Sequence, residues 1–411
     1  MHLLYNTGIR FYVFIIHIAA QFNPKAKQWV LGRKNWEQRL QQEFKPNGPV
    51  VWFHCASLGE FEQGRPVMEL YKAKHPDHFL LVTFFSPSGY EIRKDYELAD
   101  YTCYLPADTP SNARKFIKLI NPKLVFFIKY EFWFNYIHEI RTHHLPLYFI
   151  SGIFRKNQHF FKSWGSWYRN QLQNITHFFV QNNESVQLLH SIGVENVSMS
   201  GDTRFDRVEK LEQNQKTFPL IEKFIADNKI IIVGSSWENE ETFIAQLIKK
   251  NIPGYKFIIA PHEVHEEKIQ RLLKKLPVQA MRYSLADEQK IQDFKVLIID
   301  SIGLLGFLYK YSHIAIIGGG FNDGLHNTLE ALTYGVPVIF GPKYHHFPEA
   351  FELIENGAGF SITDQDSFFQ AINPLMENEE FHQKASKTAY DYIRSKTGVA
   401  RKILEEIQAK Q

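Results

Sequence analysis

Two series of short apolar runs, each alternating with longer helical patterns, constrain the fold of this chain more than any other feature. The first series comprises residues 50–54, 79–84, 124–128, 147–151, 178–181 and 197–200, and the second comprises residues 230–234, 257–261, 296–300, 314–318 and 336–340. Runs of strand length that alternate with helical patterns predict parallel sheets covered by helices. The chain is therefore predicted to be an α/β protein with two doubly wound parallel-sheet domains.

The length of the chain agrees with this organisation. At about 150 residues per domain, the 411 residues suggest two or three domains, and the second strand series leaves no room for a third. We assign residues 46–210 to an N-terminal domain, residues 211–228 to a polar linker and residues 229–411 to a C-terminal domain with closing helices that break near Thr397. Ligands of open α/β sheets bind outside the carboxyl ends of the strands, so the functional loops are expected at a cleft between the two domains.

Charge and cysteine content exclude several classes of protein. The chain has 47 Lys and Arg against 44 Asp and Glu, a formal net charge of +3. The first 45 residues carry seven cations and two anions, so the basic charge belongs to the N-terminus and not to a nucleic-acid-binding face. The only cysteines are Cys55 and Cys103, which excludes a disulfide framework and a zinc site of four cysteines. No motif in the sequence requires a metal.

The N-terminal segment combines an apolar stretch with a basic flank. Residues 3–22 are mostly apolar and cations follow them, whereas a signal peptide carries its cations before the apolar stretch. A spanning helix needs about 20 apolar residues, and Arg10, His17 and Gln21 interrupt this one. Residues 1–45 are therefore predicted to be an uncleaved membrane anchor, spanning or lying in the interface, with a cytoplasmic basic flank. An amphipathic helix packed on the soluble body is the alternative.

Three loops of the first series carry charged residues suited to catalysis. Glu60 stands at a helix start after the first strand, where it can accept a proton from a hydroxyl or interact with the helix dipole. Lys129 and Glu131 follow the strand at 124–128, as catalytic groups or as a partly buried ion pair. Arg204 follows the last strand of the series and can neutralise a phosphate leaving group or pair with a neighbouring aspartate.

Residues 140–183 contain no acidic side chain and interleave Arg and Lys with Phe, Trp and Tyr. This composition suits a membrane interface with anionic head groups. Stacking on single-stranded nucleic acid and an amphipathic helix with a solvated face are the alternatives. The apolar segment upstream favours the membrane.

Turns rich in glycine and small residues follow the strands of the second series. They are residues 234–237, 261–263, 300–304, 318–320 and 335–342, with the segment 326–330 before the last of them. Glycines let the backbone approach a ligand closely, and N–H groups at helix starts can hold a phosphate. Together these turns predict one nucleotide-sized site. The glycines at 318–320 are not the dinucleotide fingerprint, because Asp323 stands where its third glycine is needed, and a Walker A lysine pattern is missing.

Four segments, in their order along the chain, resemble the 3-deoxy-D-manno-octulosonic acid (Kdo) transferases of lipopolysaccharide biosynthesis in Gram-negative bacteria. These segments are Ala56–Glu60, Glu131–Trp133 with Asn135, Gly201–Asp206, and His326–Glu330 with Gly341-Pro342. The resemblance implies the GT-B fold, with two domains facing across a cleft. It also implies inverting transfer of Kdo from CMP-Kdo to a lipid A precursor, lipid IVA, at the cytoplasmic face of the inner membrane. Neither a cofactor nor a metal nor a nucleic-acid partner is expected.

The resemblance also implies roles for individual residues. Glu60 corresponds to the catalytic base of the family, and Arg204 to a basic residue that supports the transition state. The family has a supporting glutamate where this chain has Lys129, so Glu131 is the alternative for that role. Contacts to CMP are expected at Pro261, His262, Ile302, Gly303, Leu304, Asn327, Thr328, Leu329 and Glu330. His262 replaces an arginine of the family, so this contact is expected to be weaker or to depend on pH.

Two alternative functions remain open at the level of the sequence. One is another GT-B enzyme that uses a UDP-sugar, either a transferase or a 2-epimerase, and it would release UDP and not CMP. The other is a non-catalytic, membrane-tethered nucleotide-binding protein, which would be unaffected by Glu60→Gln.

Overall fold

The computed structural model describes residues 1–213, 216–322 and 324–410. Asn214 and Gln215 of the predicted linker, and Asp323 and Gln411 of the predicted C-terminal domain, lie outside the described residues. The chain divides into two compact units. The first unit is Met1–Arg207 together with the chain from Gly398 onward, and the second unit is Val208–Thr397.

The strands of the described chain form two parallel sheets, one in each unit. The strands are β1 (Val50–Cys55), β2 (Phe79–Phe84), β3 (Tyr101–Tyr104), β4 (Leu124–Ile128), β5 (Leu147–Gly152), β6 (His177–Val180), β7 (Val197–Met199), β8 (Lys229–Ser236), β9 (Tyr255–Pro261), β10 (Ala280–Arg282), β11 (Val296–Ile298), β12 (Ile314–Ile317), β13 (Val338–Phe340) and β14 (Gly359–Ser361). The first sheet has the order β3-β2-β1-β4-β5-β6-β7, and the second has the order β10-β11-β9-β8-β12-β13-β14. The predicted fold class of two parallel-sheet α/β domains is confirmed.

Helices connect the strands of both sheets. They are α1 (His2–Ala19), α2 (Pro24–Arg33), α3 (Trp36–Glu43), α4 (Leu58–Lys74), α5 (Pro87–Arg93), α6 (Pro110–Ile120), α7 (Phe134–Thr142), α8 (Ser166–Leu172), α9 (Asn183–His190), α10 (Arg204–Gln213), α11 (Pro219–Ile225), α12 (Glu238–Lys249), α13 (Glu266–Lys275), α14 (Leu305–Leu308), α15 (Leu329–Leu332), α16 (Pro348–Asn356), α17 (Gln365–Glu377), α18 (Glu379–Lys396) and α19 (Val399–Lys410). The break between α18 and α19 lies where the sequence predicted it.

The central strands are apolar along nearly their whole length because helices cover both faces of each sheet. In the first unit, Trp52 and Phe127 belong to one buried cluster, whereas their neighbours Phe53 and Phe126 belong to a cluster on the opposite face. In the second unit, Ile231 and its neighbours form the corresponding core. The few polar side chains inside such strands therefore need an explanation.

The last helix belongs to the first unit, whereas the sequence analysis placed it in the C-terminal domain. Ile403 and Ile407 of α19 are buried in the same cluster as Val67 of α4. Asp206 accepts hydrogen bonds from the backbone N–H groups that begin the helix, at 2.6 Å from Gly398, 3.1 Å from Val399 and 2.6 Å from Ala400. This packing is a tertiary contact across almost 200 residues of chain, so local patterns do not reveal it.

Helix α1 lies on the surface of the first unit. In the described part of the chain, no helix is both long enough and apolar enough to cross a bilayer. One side of α1 contacts the body of the unit, where the Tyr5 hydroxyl donates to Asp108 and Tyr12 packs against Phe85. The other side exposes a row of large apolar side chains, namely Leu3, Leu4, Phe11, Phe14, Ile15 and Ile18.

Candidate active site

The predicted base, Glu60, lies in the first turn of α4, directly after β1. The Ser57 hydroxyl caps this helix by accepting a hydrogen bond from the Glu60 N–H at 3.5 Å. The Glu60 carboxylate folds back and accepts a hydrogen bond from the Ala56 N–H. The helix-terminal interaction named above as an alternative is thus present, and it holds the carboxylate at the carboxyl edge of the sheet.

Glu131, in the loop after β4, is buried beside Glu60. Its Oε2 atom accepts a hydrogen bond from Trp133 Nε1 at 2.6 Å and lies 3.3 Å from His54 Nε2. Burial, followed by the nearby Glu131 charge, raises the pKa of Glu60, and burial raises the pKa of Glu131. The two carboxyl groups lie close enough for the charge of Glu131 to act on Glu60, and adjacent carboxylates do not both ionise readily.

Cations lie beside this carboxyl pair. Arg204 Nε pairs with Asp202 Oδ2 at 2.7 Å, so the ion pair named above as an alternative forms in the structure. Burial, and then the charge of Arg204, lowers the pKa of Lys129, while Asp202 and Glu60 raise it. In the described structure Glu131 is held by His54 and Trp133, and not by the predicted ion pair with Lys129. The site combines a proton acceptor with positive charge, which suits reactions in which a hydroxyl attacks and an anion leaves.

The sheet order explains why these residues meet. In the first sheet β4 pairs directly with β1, and the loops that follow parallel strands emerge at one edge. The loop that carries Arg204 is tied to α4, because Thr203 Oγ1 donates to the Gln63 carbonyl at 2.6 Å. The four predicted catalytic residues of the first unit are thereby collected at a single edge.

Sequence reasoning missed two polar residues beneath the pair. His54 in β1 and Thr83 in β2 are fully buried. Burial lowers the pKa of His54 to about 3, so the imidazole is neutral. A histidine and a threonine inside otherwise apolar strand runs were the signal that could have revealed them.

In the second unit, aromatic rings stack at the carboxyl ends of β8 and β9. Pro261 ends β9, and the ring of His262 stacks on that of Trp237 and on that of His326, with 4.6 Å between the centroids of each pair. Trp237 Nε1 donates to His326 Nε2 at 3.2 Å. A pocket of about 280 Å³ adjoins this stack, and Lys268 lies in its wall. Because His262 stacks on His326, two segments that were predicted to form the nucleotide site, 261–262 and 326–330, lie next to each other.

The remaining predicted nucleotide contacts lie near the same edge. Asn327 Nδ2 donates to Glu330 Oε1 at 3.0 Å at the start of α15. A Cβ on Gly306 of α14 would lie 3.2 Å from the Glu330 carboxylate, so the turn at 302–304 that precedes α14 is close to this helix. That turn is exposed, and Gly303 has a φ of +90° there, a backbone conformation that favours glycine.

Close backbone packing supports this edge. A Cβ on Gly320 would lie 2.6 Å from the backbone nitrogen of Gly341, so only glycine fits where the loops after β12 and β13 meet. Among the described residues, no group of three or more His, Cys, Asp or Glu side chains is placed to bind a metal.

Comparison with solved structures identifies the class of fold. A UDP-GlcNAc 2-epimerase from Neisseria meningitidis bound to UDP-GlcNAc superposes with a TM-score of 0.62 at 18% identity, over 88% of this chain and 100% of that chain. A putative UDP-N-acetylglucosamine 2-epimerase from Listeria monocytogenes gives 0.63 at 15% identity, over 88% and 96%. At these identities the likeness concerns the fold alone, which is of the GT-B type.

Sequence comparison finds similar proteins in one family. Residues 34–207 match the family model described as 3-Deoxy-D-manno-octulosonic-acid transferase (kdotransferase). The 3-deoxy-D-manno-octulosonic acid transferase of Haemophilus influenzae is 25% identical over 90% of this chain and 91% of its own length. That of Aquifex aeolicus is 27% identical over 80% of this chain and 86% of its own length. The family resemblance is confirmed: the family model and these relatives support a glycosyltransferase similar to the Kdo transferases.

Proposed function

We propose that this chain transfers Kdo from CMP-Kdo to a lipid A precursor, lipid IVA, with inversion at the anomeric carbon. The observation that carries the proposal is the pair of buried carboxyl groups of Glu60 and Glu131 beside Lys129 and Arg204, in a chain similar to the Kdo transferases. The relatives from Haemophilus influenzae and Aquifex aeolicus are Kdo transferases by name. For this chain, CMP-Kdo as the donor and lipid IVA as the acceptor are our proposal.

In the proposed reaction, the acceptor hydroxyl loses its proton to Glu60. The oxygen forms a bond to the anomeric carbon of Kdo, and the bond from that carbon to the CMP phosphate breaks with its electron pair going to CMP. Attack and departure occur on opposite faces, which inverts the anomeric carbon. Arg204 and Lys129 supply positive charge near the charge that develops.

We assign the CMP moiety to the second unit, at the residues that the family resemblance named. We assign the single phosphate of CMP to the backbone N–H groups of the turn Ile302–Leu304, because CMP leaves with one phosphate and so with less charge than a nucleoside diphosphate. Asn327 and Glu330 offer polar groups for the ribose. His262, which stacks on Trp237 and on His326, is the proposed replacement for an arginine of the family.

We also propose that the protein acts at the cytoplasmic face of the inner membrane. The apolar row of α1 is exposed, with Phe11 at 62% and Phe14 at 60% of full exposure. Trp167, from the basic and aromatic stretch 140–183, packs on Tyr5 of α1 at 6.0 Å. Apolar side chains next to Lys and Arg suit binding in the interface of a membrane with anionic lipids.

The test is to incubate wild type and Glu60→Gln with CMP-Kdo and lipid IVA, and to follow CMP release and the mass of the lipid. We expect a mass gain of whole Kdo units in wild type and a loss of about 10²–10⁴-fold in the variant, as for a general base. Glu195→Gln is the matched control, because the Glu195 side chain is 80% exposed.

Three outcomes separate the alternatives. If folded wild type gives no mass gain with intact substrates, Kdo transfer from CMP-Kdo to lipid IVA is wrong. Release of UDP from a UDP-sugar would instead indicate another GT-B enzyme. Binding of CMP without turnover, equal in wild type and Glu60→Gln, would indicate a non-catalytic nucleotide-binding protein.

A further inference from the structure

Helix α1 has polar side chains on the side that faces the body of the first unit. They are His2, Tyr5 and Asn6, whose spacing of three and four residues places them on one face of the helix. His2 Nε2 lies 3.2 Å from Asn135 Oδ1, and Asn6 Oδ1 accepts from Asn135 Nδ2 at 2.9 Å. Asn135 is the second residue of α7, the helix that follows the loop with Glu131. Contact with lipid alone does not require such polar groups.

The carboxylate of Asp108 connects Tyr5 of α1 to the start of α7. Asp108 lies in the loop after β3 and is 1% exposed. The Tyr5 hydroxyl donates to Asp108 Oδ2 at 2.5 Å. The backbone N–H groups of Asn135 and Tyr136 donate to the same carboxylate at 3.1 Å each. The first N–H groups of a helix have no partner within it, so a side chain that accepts their hydrogen bonds stabilises the helix start. The start of α7 therefore depends on a carboxylate that α1 helps to hold.

The residue at the N-cap position of α7 does not cap the helix itself. It is Trp133, whose side chain forms no hydrogen bond to the helix start. Its indole N–H donates instead to Glu131 Oε2 at 2.6 Å. One short segment thus orients Glu131 at its beginning and is fixed by Asp108 at its end. A shift of the helix start would move the Trp133 donor and the Glu131 carboxyl group with it, and small misplacements of this kind are costly to a reaction.

A second contact of α1 reaches Trp133 through Phe85. The rings of Trp133 and Phe85 pack with 4.6 Å between centroids, and Tyr12 stacks on Phe85 at 6.3 Å. Tyr12 follows Tyr5 by seven residues, which is about two helical turns, so both lie on the same side of α1. The Phe85 carbonyl also accepts a hydrogen bond from Arg33 Nη2 at 2.8 Å, which fixes the residue that lies between α1 and the loop. Two separate points of α1 thus lead to the segment beside the carboxyl pair.

We propose that α1 is a positioning element of the active site as well as a surface for lipid, and that Tyr5 is its main positioning residue. Acting through Asp108, the Tyr5 hydroxyl holds the start of α7 at the place where Trp133 orients Glu131. This inference rests on the proposed function, in which the carboxyl pair serves the transfer of Kdo. Tyr5 forms and breaks no bond in that reaction, so its contribution is to the geometry of the site.

The test compares Tyr5→Phe with Tyr311→Phe. Phenylalanine keeps the ring that packs against Phe134, with 5.1 Å between centroids, but it cannot donate to Asp108. Tyr311 is the matched control, because its hydroxyl donates to Glu222 Oε1 at 2.5 Å in the second unit. Kdo transfer is measured with CMP-Kdo and with lipid IVA dispersed in detergent micelles, so that binding to vesicles does not limit the rate.

The kinetic constants distinguish positioning from binding and from folding. We expect Tyr5→Phe to lower kcat about 3- to 20-fold, as for the loss of one hydrogen bond to a carboxylate, with KM for CMP-Kdo within about twofold of wild type. A fall of kcat at constant KM indicates an interaction that matters in the transition state and not in substrate binding. Tyr311→Phe should keep the wild-type kcat. An unchanged kcat in Tyr5→Phe, whatever its Tm, or equal losses in both variants, would overturn the proposal.

A second measurement does not depend on turnover. The indole ¹⁵N–¹H signal of Trp133, identified by its loss in Trp133→Phe, reports on the hydrogen bond to Glu131 Oε2. We expect this signal to shift in Tyr5→Phe and to stay unchanged in Tyr311→Phe. If wild type transfers no Kdo, the proposed function is wrong, and a shifted signal would still support positioning by α1. If wild type is active and the Trp133 signal is the same in Tyr5→Phe, the role of Tyr5 is wrong while the function stands.

Discussion

At the scale of single residues, the candidate site depends on ionisable groups that are buried away from water. Glu60 and Glu131 lie together above the buried polar residues His54 and Thr83, and burial raises the pKa of both carboxyl groups. A carboxyl group with a raised pKa is suited to accept a proton near neutral pH. The same placement costs stability, because the folded protein resists ionisation that the unfolded chain allows.

This cost gives a prediction for Glu60→Gln. The pKa of Glu60 in the folded protein is above its ordinary value, so its contribution to stability is complete below the unfolded pKa and is lost as the pH rises toward the folded pKa. Glutamine does not ionise. We therefore expect the variant to unfold about 1–3 °C above wild type at pH 8 and at the same temperature at pH 4. Calorimetry across this range measures it, with Glu195→Gln as the control. A lower Tm for Glu60→Gln at pH 8 would contradict it.

His262 gives a second prediction at this scale. Arginine is always charged and can bind a phosphate in a bidentate manner, which an imidazole cannot do. We expect His262→Arg to raise the affinity for CMP about 2- to 5-fold, as for an exposed charge pair. Calorimetric titration with CMP at one fixed pH measures it. His265→Arg, an exposed residue nearby, is the control, and equal affinities of wild type and His262→Arg would contradict the role of His262.

At the scale of elements, two helices at the ends of the chain belong to the first unit for different reasons. Helix α1 contacts the unit with one side, where Asn6 Oδ1 accepts from Asn135 Nδ2 at 2.9 Å, and exposes apolar side chains on the other. Helix α19 packs into the core and begins on the carboxylate of Asp206. Asp206 is the last residue of the segment 201–206, which carried part of the family resemblance. Because it caps α19, this residue of the motif stabilises the fold.

The exposed side of α1 predicts binding to anionic vesicles. We expect the double variant Phe11→Asp, Phe14→Asp to lose at least about tenfold in affinity for vesicles that contain anionic lipid, because each phenylalanine that enters the interface contributes about 1.5–3 kcal/mol. Ile92→Asp and Leu285→Asp, at positions 58% and 68% exposed outside α1, are the matched controls. Co-sedimentation measures binding, and equal binding by wild type and the double variant would exclude α1 as the contact.

The start of α19 predicts a stability effect of Asp206. We expect Asp206→Ala to lower the free energy of unfolding by about 2 kcal/mol or more, because it leaves several buried backbone N–H groups without an acceptor. Asp206→Asn keeps an acceptor oxygen and is expected to lose less. Urea unfolding followed by circular dichroism measures both, and an unchanged midpoint in Asp206→Ala would show that α19 does not depend on this cap.

At the scale of the whole molecule, most of the architecture was predictable and three strands were not. β3, β10 and β14 lie at sheet edges and have three or four residues each. Edge strands are covered less than central ones, so their sequences lack the long apolar runs that revealed the others. The boundary of the second unit falls at Val208, inside α10. The composition of the chain does not change where a helix continues through a boundary. The boundary predicted from composition therefore lies a few residues later, at the start of the polar linker.

The amino-acid sequence alone determined the fold class, the two sheets and the residues that carry the family resemblance, because hydrophobic periodicity and local turn chemistry act over short stretches of chain. The tertiary structure decided which polar groups meet. His54 and Thr83 lie on neighbouring strands and Glu131 follows a third, so only the strand order β2-β1-β4 brings them together beneath Glu60. The structure also decided that α19 joins the first unit. Both results depend on contacts between residues far apart in sequence, and the free energy of those contacts is set by burial that no local pattern encodes.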